Sequence, residues 1–139
     1  MSMKKWLVRI VAPAVAAVLA AGAVSQSAEK AGPRLAHMVF FALKDHSGEA
    51  RETFVASCHK YLAGHEGAVY FSIGVIAEDV EEPGVSVRDF DVALHLVFAN
   101  KEARDKYLTD PRHVKFVAEN KESFAKVRVF DSYLTSAKP

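Results

Sequence analysis

The chain has a single cysteine, Cys58, so no internal disulfide can brace it, and stability must come from an apolar core or from association. Beyond the first nine residues there is no cluster of Lys or Arg, which argues against nucleic acid as a partner. Internal repeats and low-complexity tracts are missing too, and 139 residues leave room for one domain. The one long uncharged apolar stretch, Ile10 to Val24, falls short of the roughly 20 residues that cross a bilayer. Metal-ligand spacing is also lacking. His59 and His65 are six apart and fall on different faces of a helix end, so no metal site is expected.

That apolar stretch has a different meaning. Lys4, Lys5 and Arg9 precede it, and Ala21-Gly22-Ala23 or Ala23-Val24-Ser25 follows as a small-residue cleavage site. The pattern predicts a signal peptide over 1–25, cut near 23–25, and a secreted or periplasmic product with no stable membrane insertion afterwards. A linker over 26–34, a domain over 35–134 and a tail over 135–139 complete the division. Losing three basic residues from 18 Lys+Arg against 17 Asp+Glu leaves a net charge near −2.

Within the domain, hydrophobic periodicity predicts the elements. Leu35–Lys44 reads as a strand apolar on both faces, with Leu35, His37, Val39, Phe41 and Leu43 on one side and Ala36, Met38, Phe40 and Ala42 on the other. Ser47 can cap a helix that Gly64 ends, with Phe54, Val55, Cys58, Tyr61 and Leu62 on its apolar stripe and Glu49, Arg51, Glu52 and Lys60 left for solvent. Val69–Ala77 and Phe90–Phe98 are strands joined by a long acidic loop containing Pro83-Gly84. In the second of these, Phe90, Val92, Leu94, Leu96 and Phe98 share a face, and His95 on the other has Asp91 as a plausible partner. Helices over 101–108 and 111–125 and a strand over 127–134 follow.

The two late helices meet at Asp110-Pro111. Proline pushes the residue before it out of helical geometry and suits the first position of the next helix, which Asp110 can cap. Tyr107 and His113 flank this corner at a fixed offset, and either can take part in proton transfer or simply satisfy helix-end backbone groups.

The order strand, helix, strand, strand, helix, strand predicts an α+β, ferredoxin-like βαββαβ fold with an antiparallel sheet and its helices on one face. Met38, Phe40, Tyr70, Ile76, Ala93 and Val97 would then form a bare apolar patch on the other face. A second copy would cover it, so a homodimer, a dimeric α/β barrel made of two sheets, is expected.

Four pieces occur in order: His37-Met-Val-Phe-Phe-Ala-Leu-Lys44, Asp89-Phe-Asp-Val-Ala-Leu94, Tyr107…Asp-Pro-Arg-His113…Phe116 and Val127-Arg-Val-Phe-Asp131. Together they resemble the stress-responsive A/B barrel (Dabb) domain, a dimeric α+β barrel, over Leu35–Leu134. Most members of that family have no established activity. One is a polyketide cyclase that works without a cofactor, and its catalytic Tyr and His match Tyr107 and His113, with its first-strand pocket His matching His37. The resemblance therefore implies a catalytic pair at His113 and Tyr107.

The residues themselves predict a mostly apolar cleft lined by His37, Val39, Phe41, Phe54, Cys58, Leu94, Phe116 and Phe124, with Tyr107 and His113 converging on it. Cys58 is expected as a buried free thiol and not as a nucleophile. The expected function is an exported homodimer that binds a small apolar or aromatic molecule. The alternative is a cofactor-independent cyclase, lyase or isomerase with a His base and a Tyr donor. Neither reading requires a cofactor.

Overall fold

The sheet is built outward from strand β1, Leu35–Leu43, the segment that is apolar on both sides. In the computed structural model, which describes residues 32–135, β1 lies between β3 (Val92–Phe98) and β4 (Phe124–Tyr133), and β2 (Ala68–Val75) pairs with β3. The strand order is β2-β3-β1-β4, and every pairing is antiparallel. The signal peptide expected over 1–25 lies outside the described residues.

Helix α1 (Gly48–Leu62) starts where Ser47 Oγ accepts from Ala50 N–H at 3.2 Å. Asn100 caps α2 (Lys101–Thr109) in the same way, accepting from Ala103 N–H at 2.9 Å. Asp110 then caps α3 (Pro111–Asn120) through Arg112 N–H at 2.8 Å, so the Asp-Pro corner forms as its residues require. The helices cover the side of the sheet that carries Val39, Phe41, Leu94, Leu96 and Phe98, and these strand residues are buried with Phe54, Cys58 and Leu62 of α1. Gly67 allows β2 to begin against α2: its φ is +77° and a Cβ there would lie 2.5 Å from the Ala103 Cβ.

Several boundaries depart from the periodicity. The last helix was expected to run to residue 125, but it stops at Asn120, whose amide donates to Phe116 O at 2.8 Å and to Ser57 Oγ at 2.9 Å. A 3₁₀ turn follows, Lys44 N–H donates to Ser123 O, and Phe124 opens β4. In β2, Val69 is an extra residue between the Ala68↔Phe98 and Tyr70↔Val97 pairs, and this bulge leaves it exposed. Strand β3 starts two residues later than expected. Phe90 turns to the bare face and packs on Phe40 at 5.1 Å, while Asp91 turns toward α1.

Asp91 is therefore not the partner of His95, whose Nδ1 meets Ser72 Oγ at 3.2 Å. It accepts instead from Leu43 N–H at 2.8 Å, from Arg51 Nε at 3.0 Å and from His46 Nδ1 at 2.9 Å. Arg51, expected in solvent, is drawn down to this buried carboxylate because an unpaired charge there would be costly.

The other face of the sheet is bare. Phe40 and Phe130 pack edge to face at 5.7 Å, and Tyr70 and Phe130 are each 54% exposed. A groove of about 280 Å³ lined by Phe40, Val87, Phe90, Arg128 and Phe130 lies on this side.

Candidate functional site

Two helices cover β2, β3 and β1 but leave the helix-side surface of β4 partly open. A cavity of about 530 Å³ lies there, between β1 and β4 below and α2 and α3 above. Antiparallel register sets its layout. His37, Val39 and Phe41 stand beside Asp131, Val129 and Val127, so polar residues gather at one end and apolar ones at the other. Leu94, Phe116 and Phe124 complete the apolar wall.

The corner supplies the polar groups. Tyr107 sits in the last turn of α2 and His113 in the first turn of α3, with ring centroids 4.6 Å apart. His113 Nδ1 donates to Leu108 O at 3.1 Å, which leaves Nε2 as the acceptor. Burial pushes the His113 pKa below its ordinary value, an effect opposed by the Leu108 carbonyl and reinforced by His37 and His65. Burial pushes the Tyr107 phenol well above the usual tyrosine range, with Cys58 adding to the effect. At neutral pH the corner thus presents an uncharged imidazole and a protonated phenol.

At the same end, His37 Nδ1 donates to Asp131 Oδ1 at 2.6 Å, and Arg104 donates to Asp131 Oδ2 at 2.9 Å. Arg104 also reaches Asp105 Oδ1 at 3.3 Å, and Lys101 pairs with Asp105. The charges of Asp131, Arg104, Asp105 and Lys101 are therefore matched at the polar end, although Arg104 Nε is buried without a partner, and Lys121, which also lines the cavity, has no ion-pair partner among the described residues. Among the described residues, no cluster of three His, Cys, Asp or Glu could hold a metal ion, and no helix is long and apolar enough to cross a membrane.

The structure gathers His37, Val39, Phe41, Leu94, Tyr107, His113, Phe116 and Phe124 around this one cavity. Phe54 and Cys58 do not line it. The Phe54 ring is held by Phe41, Phe116 and Phe124, with centroids 4.8–5.7 Å away, and so stands one layer behind the wall. Cys58 is fully buried, and its thiol is pushed up to about 12 by that burial, which keeps it inert.

Sequence reasoning missed Asp131, Arg104 and His65. The alternation Val127, Val129, Asp131 would have put Asp131 on the His37 face, but pairing residues 94 apart needs the sheet register. No local signal points to Arg104. His65 was weighed only for metal spacing, yet its ring meets Tyr107 at 4.9 Å.

A four-stranded antiparallel sheet with helices on one face and a cavity beneath them defines a ferredoxin-like α+β domain. The chain belongs to the stress-responsive A/B barrel domain family, whose model matches residues 35–134. No curated protein matches it. Among solved structures, a Dabb family protein with a ferredoxin-like fold from Mesorhizobium loti is 23% identical, with TM-score 0.62, covering 76% of this chain and 100% of the other. A dimeric ferredoxin-like protein of unknown function from Thermobifida fusca is 16% identical, with TM-score 0.59 and coverage of 74% and 92%. A hydroxynitrile lyase from Passiflora edulis is also 16% identical, with TM-score 0.60 and coverage of 77% and 98%. At these identities the likeness establishes the fold.

Proposed function

We propose that the protein is an exported homodimer that binds a small, uncharged molecule with an apolar body and a hydroxyl or carbonyl head. One observation carries this reading. At the polar end the Asp131 carboxylate and the Arg104 guanidinium are paired with one another, while at the corner Tyr107 Oη and His113 Nε2 have no hydrogen-bond partner among the described residues. One unmet donor beside one unmet acceptor suits a group that both accepts and donates. A carboxylate held at the corner would instead sit toward Asp131, whose arginine is already paired, and lose its hydration.

The test uses 2-naphthol, naphthalene and 2-naphthoate as probes, measured by calorimetry or fluorescence. The expected order is 2-naphthol above naphthalene by about tenfold, the worth of one hydrogen bond of roughly 1.4 kcal/mol, with 2-naphthoate weakest. Tyr107→Phe should erase the advantage of the hydroxyl. Equal binding of 2-naphthol and naphthalene by the unaltered protein would overturn the proposal.

A second reading, a cofactor-independent lyase, isomerase or cyclase, is favoured by the charge states at the corner. In it the uncharged His113 accepts a proton from substrate, and the Tyr107 O–H stabilises the developing oxyanion. Turnover unaffected by His113→Gln would exclude it.

The bare sheet face supports the homodimer, and the dimeric relative of like fold agrees with it. Sedimentation at micromolar concentration should give twice the chain mass; a monodisperse monomer would remove this part of the proposal. Export rests on the leader. The released protein should begin near Val24 or Gln26, and an intact Met1 would contradict it.

A further inference from the structure

Three histidines surround Tyr107, and the third has no role in the reading above. His65 follows α1 in a turn bounded by Gly64 and Gly67, whose φ angles are +69° and +77°. Ala68 N–H donates to His65 O at 3.1 Å, so the turn is closed on itself. The His65 side chain is buried and its Nε2 donates to Tyr61 O at 2.8 Å. Its Nδ1 lies 3.6 Å from Oδ2 of Asp110, the residue that caps α3. Its ring stands almost perpendicular to Tyr107, at 86° and 4.9 Å between centroids.

Tyr107 is thus held between aromatic neighbours. Phe98 lies at 5.1 Å, His37 at 6.0 Å and His113 at 4.6 Å, with His65 on a separate anchor from α1. His65 is absent from the cavity lining, so it does not reach a ligand directly. An edge-to-face ring has a preferred geometry that a branched aliphatic chain cannot reproduce. The same imidazole also bridges the end of α1 to the cap of the helix that carries His113.

We infer that His65 is a positioning residue: its ring, fixed to Tyr61 O behind Tyr107, holds the phenol in register with His113 so that both can meet one ligand hydroxyl. This rests on the proposed donor–acceptor reading of the corner. The alternative is that His65 only fills the core and satisfies the end of α1.

The two are separated by the ratio of 2-naphthol affinity to naphthalene affinity. A residue that merely supports the fold changes both affinities together and leaves the ratio alone. His65→Leu and His65→Phe lose the same hydrogen bond to Tyr61 but differ in the ring. The ratio of about tenfold expected for one hydrogen bond should fall to about twofold or less in His65→Leu and stay within about threefold of the original in His65→Phe. Where His65→Leu does not fold, His65→Gln takes its place, keeping a donor for Tyr61 but no ring. An unchanged ratio in the variant without a ring would overturn the inference, as would equal loss in both variants. A ratio near one in the unaltered protein would overturn the donor–acceptor reading, and this inference with it.

Discussion

Asp91 and Asp131 have nearly the same partners and serve different ends. Each accepts from one histidine and one arginine: His46 and Arg51 for Asp91, His37 and Arg104 for Asp131. The Asp91 side chain is 2% exposed and also takes the Leu43 backbone N–H, so it ties β1, β3 and α1 into one unit. The Asp131 side chain is 34% exposed, on an edge strand, and its histidine lines the cavity. Chemistry alone does not separate an architectural trio from one at a site. Burial and a backbone contact do, because they set what is lost when the carboxylate goes.

The sharpest way to break this comparison is to delete both carboxylates. Asp91→Ala leaves the buried Leu43 N–H without an acceptor and Arg51 with only the exposed Glu78, and the expected loss is about 3 kcal/mol, the lower end for a broken buried pair. Asp131→Ala should cost less, about 1–2 kcal/mol, since its carboxylate is partly exposed and what is lost is the hydrogen bond to the buried His37. Chemical denaturation of the two variants checks both, and similar losses would erase the distinction.

Acid sharpens the same contrast. Burial works against the Asp91 carboxylate, yet Leu43 N–H, His46 and Arg51 outweigh it and hold its pKa below the ordinary 3.8. As pH falls through that value the unfolded chain takes up the proton first, so the contribution of Asp91 is complete above about pH 4 and fades below it. Stability measured from pH 5 to pH 2 should therefore drop more steeply for the unaltered protein than for Asp91→Asn. Parallel curves would count against the pairing.

His113 gives a smaller effect at milder pH. Its pKa is lowered in the fold, chiefly by burial. The unfolded chain binds the proton first as pH drops below about 6.5, so stability declines from there through the folded pKa. His113→Gln should flatten this shallow slope. It should also cost about 1 kcal/mol for the lost bond to Leu108 O, read as a fall in Tm of a few degrees. No change in slope would mean the imidazole is not held uncharged.

Some of this was legible in local residues. The Asp110-Pro111 break, the Ser47 and Asn100 caps and the alternation of β1 act over a few positions and formed as their chemistry requires. Local reading failed at Phe90, Asp91 and Phe124. Strict alternation put Phe90 with Val92, and helical spacing carried the last helix through Phe124, because neither period registers that β3 starts only at Val92 or that the Asn120 side chain closes α3. Phe54 and Cys58 show the same limit from another side. The helical stripe marks them as buried, but not as standing one layer behind the cavity wall.

By itself the sequence determined the element order, the ferredoxin-like fold and the corner that spaces Tyr107 from His113, because caps, breakers and periodicity are short-range; the family over 35–134 was legible only as a resemblance carried by four motifs. The tertiary structure alone decided that Asp131 meets His37 and Arg104, that Asp91 turns inward to Arg51, and that His65 backs Tyr107. Those contacts join residues tens of positions apart, and their geometry exists only once strand register and helix packing have been set.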